Sequence, residues 1–442
     1  MRILIYGLNF APELTGIGKY SGEMAAFLAQ KGHEVRVVTT PPYYPQWRIM
    51  AGYSGAAYTT EQWQGVTVYR CPLWLPRQRN VGQALHPDRV FSLSGNAQNA
   101  AGKAKSLPYI SDRRAQISGF QRILYLASFA LSSLPVALAQ ISWRPERVIV
   151  LAPSIFNAPA ALGVARLSGA KCWLHIQDFE LDAARRLRML PAMEGVYRLA
   201  SKVEGALYRG FDCVSTISGR MMEHLAGKGT ASQRAVLFPN WVDTHQIYPL
   251  NGYNYLRQEL GLENKRVVLY AGNMGQKQGL EVLVEAARRL TGVPDLLFLL
   301  CGAGAARSQL EKHAEGLPNV RFLPLQPVER LNELLNLAEI HVLPQAAGAA
   351  DLVMPSKLAG MLASGRPVIV TAQPGTELAE VMQDLGRVVV PERPDLLGDA
   401  ILDLAGQVEM QAELGRRGRV YVEQTWAKES VLGKFLQTLQ AL

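Results

Sequence analysis

RILIYGLNFAPELTGIGKYSGEMAAFLAQKGHEVRVVTT, residues 2–40, decides the fold. Arg2–Leu8 is an apolar run and reads as a buried strand. Asn9–Tyr20 reads as a loop carrying Pro12, Gly16 and Gly18. Ser21–Gly32 spaces its apolar residues as a helix does, with Ser21 as N-cap and Gly32 as the stop. His33–Thr40 is a second strand. A β-loop-α-β unit makes the sheet parallel and puts the glycine-rich loop at the carboxyl end of the first strand. Open α/β sheets take ligands at that edge, where helix N-termini offer free N–H groups to phosphate.

The loop excludes two familiar nucleotide signatures. A dinucleotide fingerprint needs a third glycine where Ser21 stands, and an acid at the end of the second strand, where the chain reads Thr39-Thr40-Pro41. A Walker loop needs glycine at Glu13 and a hydroxyl at Tyr20.

A chain of 442 residues is too long for one core and suits two domains. With 48% hydrophobic and 19% charged residues it has a globular composition. Cys71, Cys172, Cys213 and Cys301 are dispersed, which favours reduced thiols over a zinc site or a disulfide framework. The first strand starts at Arg2 with no charged-then-apolar leader, so a cytoplasmic protein is expected.

The net charge of +9 is unevenly spread. Residues 70–122 hold nine basic residues against Asp88 and Asp112, in a Gly-, Asn-, Gln- and Ser-rich stretch that reads as a basic surface insertion. Residues 123–143 then carry no charge at all. They read as a transmembrane helix, or as a core or membrane-skimming helix; Pro135, the serines and a strand at Arg147–Leu151 favour the latter two.

Further strands are expected at 147–152, 171–178 and 212–218, with 235–243 closing the first half. Beyond a turn-rich stretch near 245–260 a second α/β series runs through 265–273, 296–304, 320–325, 339–344, 366–371 and 387–390. The expectation is α/β, two doubly wound domains: 1–250, 251–427 and a last helix over 428–442.

Three stretches carry chemistry. In LYAGNMGQKQG (269–279), Gly272 and Gly275 allow backbone to approach a ligand and Lys277 adds a cation; the alternative is a plain turn with a solvated lysine. In PSKLAGMLASGRPV (355–368), Pro355 suits a first helical turn, leaving Ser356 and Lys357 by the helix N-terminus. Two lysines at one sheet edge would neutralise a departing diphosphate without a metal. LHIQDFELDAA (174–184) ends a first-half strand with His175, Asp178, Glu180 and Asp182. Its acids fit a sugar pocket, a solvated turn or a divalent-metal site, and His175 is either a core histidine or a cleft residue.

In this order and spacing, APELTGIGKY, WLHIQDFELDAA, FPNWVD, YAGNMGQKQG, CGAG and PSKLAGMLASGRPV resemble family 4 glycosyltransferases of the GT-B fold, nearest the subgroup that assembles colanic acid and related exopolysaccharides. The resemblance covers nearly the whole chain. It implies two Rossmann-like domains facing across a cleft, the nucleotide held mainly by the second, and a last helix crossing back to the first. It further implies retaining transfer with no metal and no cofactor. By position it puts Gly16, Gly18 and Lys19 near the donor phosphate and acceptor, and His175 by the donor sugar. Lys277 falls by the diphosphate with Gly272 and Asn273, and Gly302, Gly304 and Leu343 near the base or ribose.

The chain departs from that family's pattern at two places. Counting back from Ser364-Gly365-Arg366-Pro367, the usual acid-x7-acid pair falls on Leu352 and Gly360, with Asp351 one position from the first. Asn273 also stands where many members have arginine. The partners expected are a nucleotide diphosphate sugar (GDP-fucose, with UDP-sugars as the alternative), a lipid-linked saccharide acceptor and an anionic membrane surface, and no nucleic acid. The rival reading is a nucleotide-sugar-binding protein that has lost the reaction.

Overall fold

The computed structural model describes residues 1–14, 16–76, 119–152, 155–179, 181–182, 194–275, 278–347 and 354–442. Two separate sheets organise them. The first contains β1 (Arg2–Gly7), β2 (Glu34–Thr39), β3 (Thr59–Trp63), β4 (Val66–Arg70), β5 (Arg147–Ala152), β6 (Lys171–Ile176), β7 (Cys213–Thr216) and β8 (Ala235–Leu237), in the order β3-β4-β2-β1-β5-β6-β7-β8. Every pair is parallel except β3–β4. The second contains β9 (Arg266–Asn273), β10 (Leu296–Ala303), β11 (Val320–Leu323), β12 (Ile340–Leu343), β13 (Val368–Thr371) and β14 (Gly386–Val389), all parallel, in the order β11-β10-β9-β12-β13-β14. Both sheets are covered on two faces, which is why their central strands are continuous apolar runs.

The opening unit differs from its sequence reading in one respect. The first helix spans Gly16–Gln30, so Ser21 lies inside it and is not its N-cap. The Ser21 hydroxyl donates to the carbonyls of Asn9 (2.8 Å) and Gly18 (3.1 Å). Glycine makes the earlier start possible. A Cβ on Gly18 would lie 2.4 Å from Glu13 Oε2, and one on Gly22 would lie 2.7 Å from Ala11 Cβ. The glycines let the helix press onto the loop before it. Glu13, buried there, accepts from the backbone N–H groups of Tyr43 and Tyr44 and from Asn9 Nδ2.

The β3–β4 hairpin was not anticipated. Its turn is Gln64-Gly65, both at positive φ, the geometry that matches strand twist in a two-residue hairpin. Arg70, 1% exposed, ties the hairpin to the first loop by donating to Glu61 and to the carbonyls of Thr40 and Ala11.

Most of the uncharged run lies in a helix, Gly119–Ala139, packed against the first sheet, and residues 140–143 turn out of it. Tyr125, Leu126, Phe129, Ser133 and Ala137 face inward, and Ser133 Oγ meets Tyr6 Oη at 2.5 Å. The opposite face is apolar and open: Leu131 is 72% exposed, flanked by Leu124, Leu134 and Leu138. The basic insertion lies largely outside the described residues, from 77 to 118.

The last helix, Lys428–Ala441, packs Val431, Leu432, Phe435 and Leu439 against the other face of the first sheet. Phe435 stacks on Phe238 at 4.5 Å, and Arg147 Nε donates to the Leu439 carbonyl. The chain thus ends on the unit where it began.

Candidate active site

Parallel strands align their carboxyl ends, and the site residues of the second half gather at one such edge. β9 ends in Gly272 and Asn273, register partners of Gly302 and Ala303 on β10. A Cβ on Gly302 (φ +156°) would sit 1.9 Å from the Gly272 carbonyl oxygen, and one on Gly304 2.3 Å from that of Met274. Met274 N–H donates to the Ala303 carbonyl at 2.7 Å, which seals the two strand ends together. Close backbone approach explains these glycines before any ligand is considered.

Lys357 reaches into this corner. It begins the helix Lys357–Ala363, with Ser356 at the N-cap position. Its ammonium donates to the Tyr270 hydroxyl at 2.5 Å and lies 3.5 Å from the Asn273 carbonyl oxygen and 4.5 Å from the Tyr270 ring centroid. Tyr270 in turn donates to the Asn273 carbonyl. A Cβ on Gly272 would collide with Lys357 Cε at 2.3 Å, so that glycine is needed for the lysine to lie flat over the strand end. Burial lowers the Lys357 pKa from 10.5 to about 8 and raises that of the Tyr270 phenol, which stays protonated.

Lys357, Gly272, Asn273, Gly302 and Gly304 are therefore brought together. Lys277, Asp351 and Glu180 lie outside the described residues. Leu343 ends β12 but is buried in a cluster with Leu358, Ala359 and Val370. Ser356 lines a small pocket between the two units with Met354 and Pro355, opposite Ile217, Pro239 and Asn240. A Cβ on Gly360, where the family's second acid would stand, would lie 3.6 Å from Leu335 Cδ1.

In the first unit, Gly16 and Gly18 open the first helix, and Lys19 is paired with Glu23 at 2.9 Å. Glu23 also accepts from Trp241 Nε1 at 2.6 Å. His175 stands near the carboxyl end of β6, 3% exposed, its Nδ1 2.9 Å from Ser215 Oγ; burial lowers its pKa from 6.5 to about 3. Asp178 follows in the half-exposed exit loop. Asp182, the third acid of the run, is held elsewhere. It accepts from Tyr197 Oη (2.8 Å), His224 Nε2 (3.0 Å) and Lys228 Nζ (2.8 Å), and Lys228 also bridges to Glu204.

Sequence reasoning missed Tyr270, Ser215 and a contact across the two units. Glu377 accepts from the backbone N–H groups of Gly219 (2.7 Å) and Arg220 (2.9 Å), at the start of the first unit's helix Gly219–Gly227. Arg220 reciprocates, donating to the Gly375 carbonyl and to Glu380. The acidic residue in G-T-E (375–377) is the sequence signal for this contact, but only the fold shows that it caps a helix of the other unit.

Residues 15–241 match the family described as "Glycosyl transferase 4-like domain", and residues 265–407 match "Glycosyl transferases group 1". Over 447 aligned residues, covering 100% of each chain, the protein is 38% identical to WcaI of Escherichia coli (strain K12), provisionally named as a colanic acid biosynthesis glycosyl transferase. Among solved structures, sucrose-phosphate synthase from Thermosynechococcus elongatus superposes with a TM-score of 0.68 at 16% identity, covering 100% of this chain and 98% of that one. Anabaena Alr3699/HepE, solved with UDP-glucose, superposes with a TM-score of 0.64 at 13% identity, covering 100% of both chains. With both halves matched, and a relative 38% identical from end to end, the chain belongs to the glycosyltransferases and has the two-unit GT-B fold.

Proposed function

We propose that the protein is a retaining hexosyltransferase that moves a sugar from a nucleotide diphosphate sugar to a lipid-linked or oligosaccharide acceptor in exopolysaccharide assembly, without a metal. The observation that carries this reading is Lys357 lying over the glycine corner of β9 and β10, a cation held beside backbone that a diphosphate could approach. UDP-glucose in the HepE structure and the name of WcaI support a nucleotide sugar and a role in exopolysaccharide assembly.

Retention without a covalent enzyme intermediate requires attack on the face the leaving group departs from. Charge then builds on the diphosphate, and Lys357, joined by Lys277, stabilises it more in the transition state than in the ground state. His175 stays neutral at working pH because burial disfavours its cation, so it serves the donor sugar as a hydrogen-bonding group and not as an acid. Asp178 is assigned to the sugar side, and by the resemblance Glu180 shares that role. Ser356 and the N–H groups at its helix start meet phosphate oxygens.

The donor is assigned as GDP-fucose, with UDP-sugars as the alternative. A thermal-shift screen separates them: a ligand that binds only the folded chain raises Tm by mass action, so GDP should outrank UDP. The reverse order would overturn the GDP assignment. Tight nucleotide binding without turnover would favour a binding protein, a reading that the glycine at position 360 supports. Strict dependence of turnover on Mn²⁺ would contradict the metal-free mechanism.

We assign the protein to the inner face of the cytoplasmic membrane. The exposed leucines of helix Gly119–Ala139 supply an apolar face, and the basic surplus of residues 70–122 supplies attraction to anionic headgroups, at about 1 kcal/mol per basic residue near the surface. Flotation with anionic liposomes should be lost at high salt. Absence of flotation at low salt would refute the assignment.

A further inference from the structure

His175 does not stand alone. Across the parallel pair β6–β7 it is in register with Ser215, as Trp173 is with Cys213. Residues two apart on a strand share a face, and so do register partners, so Trp173, His175 and Ser215 lie side by side. The Trp173 indole Nε1 is 2.7 Å from Ser215 Oγ, and Ser215 Oγ is 2.9 Å from His175 Nδ1. Ser215 is fully buried, and Trp173 and His175 nearly so.

The protons in this chain can be assigned by counting donors. An indole N–H only donates, so Ser215 Oγ accepts from Trp173. The serine has one proton of its own, and its other partner here is His175 Nδ1. If Nδ1 carried the ring proton, Oγ would accept twice and its own proton would be buried without an acceptor, a costly arrangement. The paired solution is Trp173 N–H to Ser215 O–H to a bare His175 Nδ1. The ring proton then sits on Nε2, which has no hydrogen-bond partner among the described residues. Protonating Nδ1 would break the same chain, which reinforces the effect of burial on this imidazole.

We propose that Ser215, whose own proton has His175 Nδ1 as its acceptor, is a positioning residue that locks His175 as the Nε2–H tautomer and so fixes it as a neutral hydrogen-bond donor. This rests on the reading that His175 faces the donor sugar. Its ligand is then an oxygen acceptor, a sugar hydroxyl or a phosphate oxygen. The Phe238 ring, 4.8 Å from the imidazole, packs against it and limits other orientations.

The test uses the full-length protein labelled with ¹⁵N-histidine, the His175 signals being those lost in His175→Gln. Wild type should show Nδ1 as the bare nitrogen and Nε2 as the protonated one, unchanged from pH 5.5 to 8.5. Ser215→Ala should give a tautomer mixture and a roughly 3–10-fold fall in kcat/KM, carried mainly by the donor KM, as expected for one hydrogen bond. Ser215→Thr should restore both. Trp173→Phe should lower stability yet keep the tautomer, because the hydroxyl still has Nδ1 as its acceptor; this separates a damaged core from a lost lock. An Nδ1–H ring in wild type, an unchanged tautomer in Ser215→Ala, or unchanged kinetics in a folded Ser215→Ala would each overturn the proposal. A locked tautomer in a protein that transfers no sugar would instead sink the transferase reading and leave the lock standing.

Discussion

Replacing Lys357 by Met removes a charge and keeps most of the side chain's length. The hydrogen-bond partners of the ammonium among the described residues are both neutral, the Tyr270 hydroxyl and the Asn273 carbonyl. Burial therefore goes uncompensated, and the pKa falls from 10.5 to about 8. At about 1.36 kcal/mol per unit, and discounting for the water that reaches a partly exposed chain, the charged lysine destabilises the empty protein at pH 7 by ~2–3 kcal/mol. Between pH 8 and pH 10.5 the unfolded chain binds the proton that the folded one has released, so wild-type stability rises through that window. Lys357→Met should accordingly be the more stable protein at pH 7, and its advantage should close between pH 8 and 10.5. The same change should lower kcat by more than it raises the donor KM. Urea denaturation followed by circular dichroism, read on the C-terminal unit's transition because two units need not unfold together, measures the first claim. A variant less stable than wild type at pH 7, with parallel pH curves, would make Lys357 a structural tether and not a strained cation.

Three further outcomes follow from contacts already described. Gly302→Ala puts a Cβ 1.9 Å from the Gly272 carbonyl oxygen, so it should cost more than about 4 kcal/mol and leave little soluble protein, whereas Gly163→Ala, with nothing within 4 Å, should express normally. Glu377→Gln keeps one acceptor oxygen and sets an amide NH2 against the second backbone N–H of the other unit; it should loosen the cleft by ~1–2 kcal/mol, seen as a larger radius of gyration in small-angle scattering, and an unchanged radius would count against a clamp. Asp182→Asn strips a buried lysine of one of its two acids and should cost ~2–4 kcal/mol at pH 7. Because the Asp182 pKa is held below 3.8, that stabilisation is present above 3.8 and lost as pH falls further, so the thermal-unfolding gap between variant and wild type should narrow in acid.

The alternation of strands and helices was legible because each buried strand is a short apolar run bounded by turn residues, as Arg266–Asn273 and Val368–Thr371 are. The start of the first helix was not. Ser21 has the form of an N-cap, but the reason the helix begins at Gly16 is a close approach to Glu13 and Ala11, a contact that local sequence does not encode. The β3 strand escaped because Thr59–Trp63 is a largely exposed edge with no apolar run. At the candidate site, Gly272 and Lys357 were legible from strand-loop-helix punctuation. Tyr270 and Ser215 were hidden inside apolar strands, where they look like core residues. Their partners come from strand register and from the helix that follows Ser356, and register is a property of the folded sheet.

Sugar transfer from a nucleotide donor leaves a product that can be followed by its label. Its most direct test incubates the purified full-length protein with radiolabelled nucleotide sugars and a membrane extract carrying lipid-linked saccharides, in the presence of a chelator. Label should appear in the lipid fraction, in a linkage that keeps the donor's anomeric configuration, and should fall away with Lys357→Met. Nucleotide binding in the same samples with no label transferred from any donor would contradict the transferase assignment.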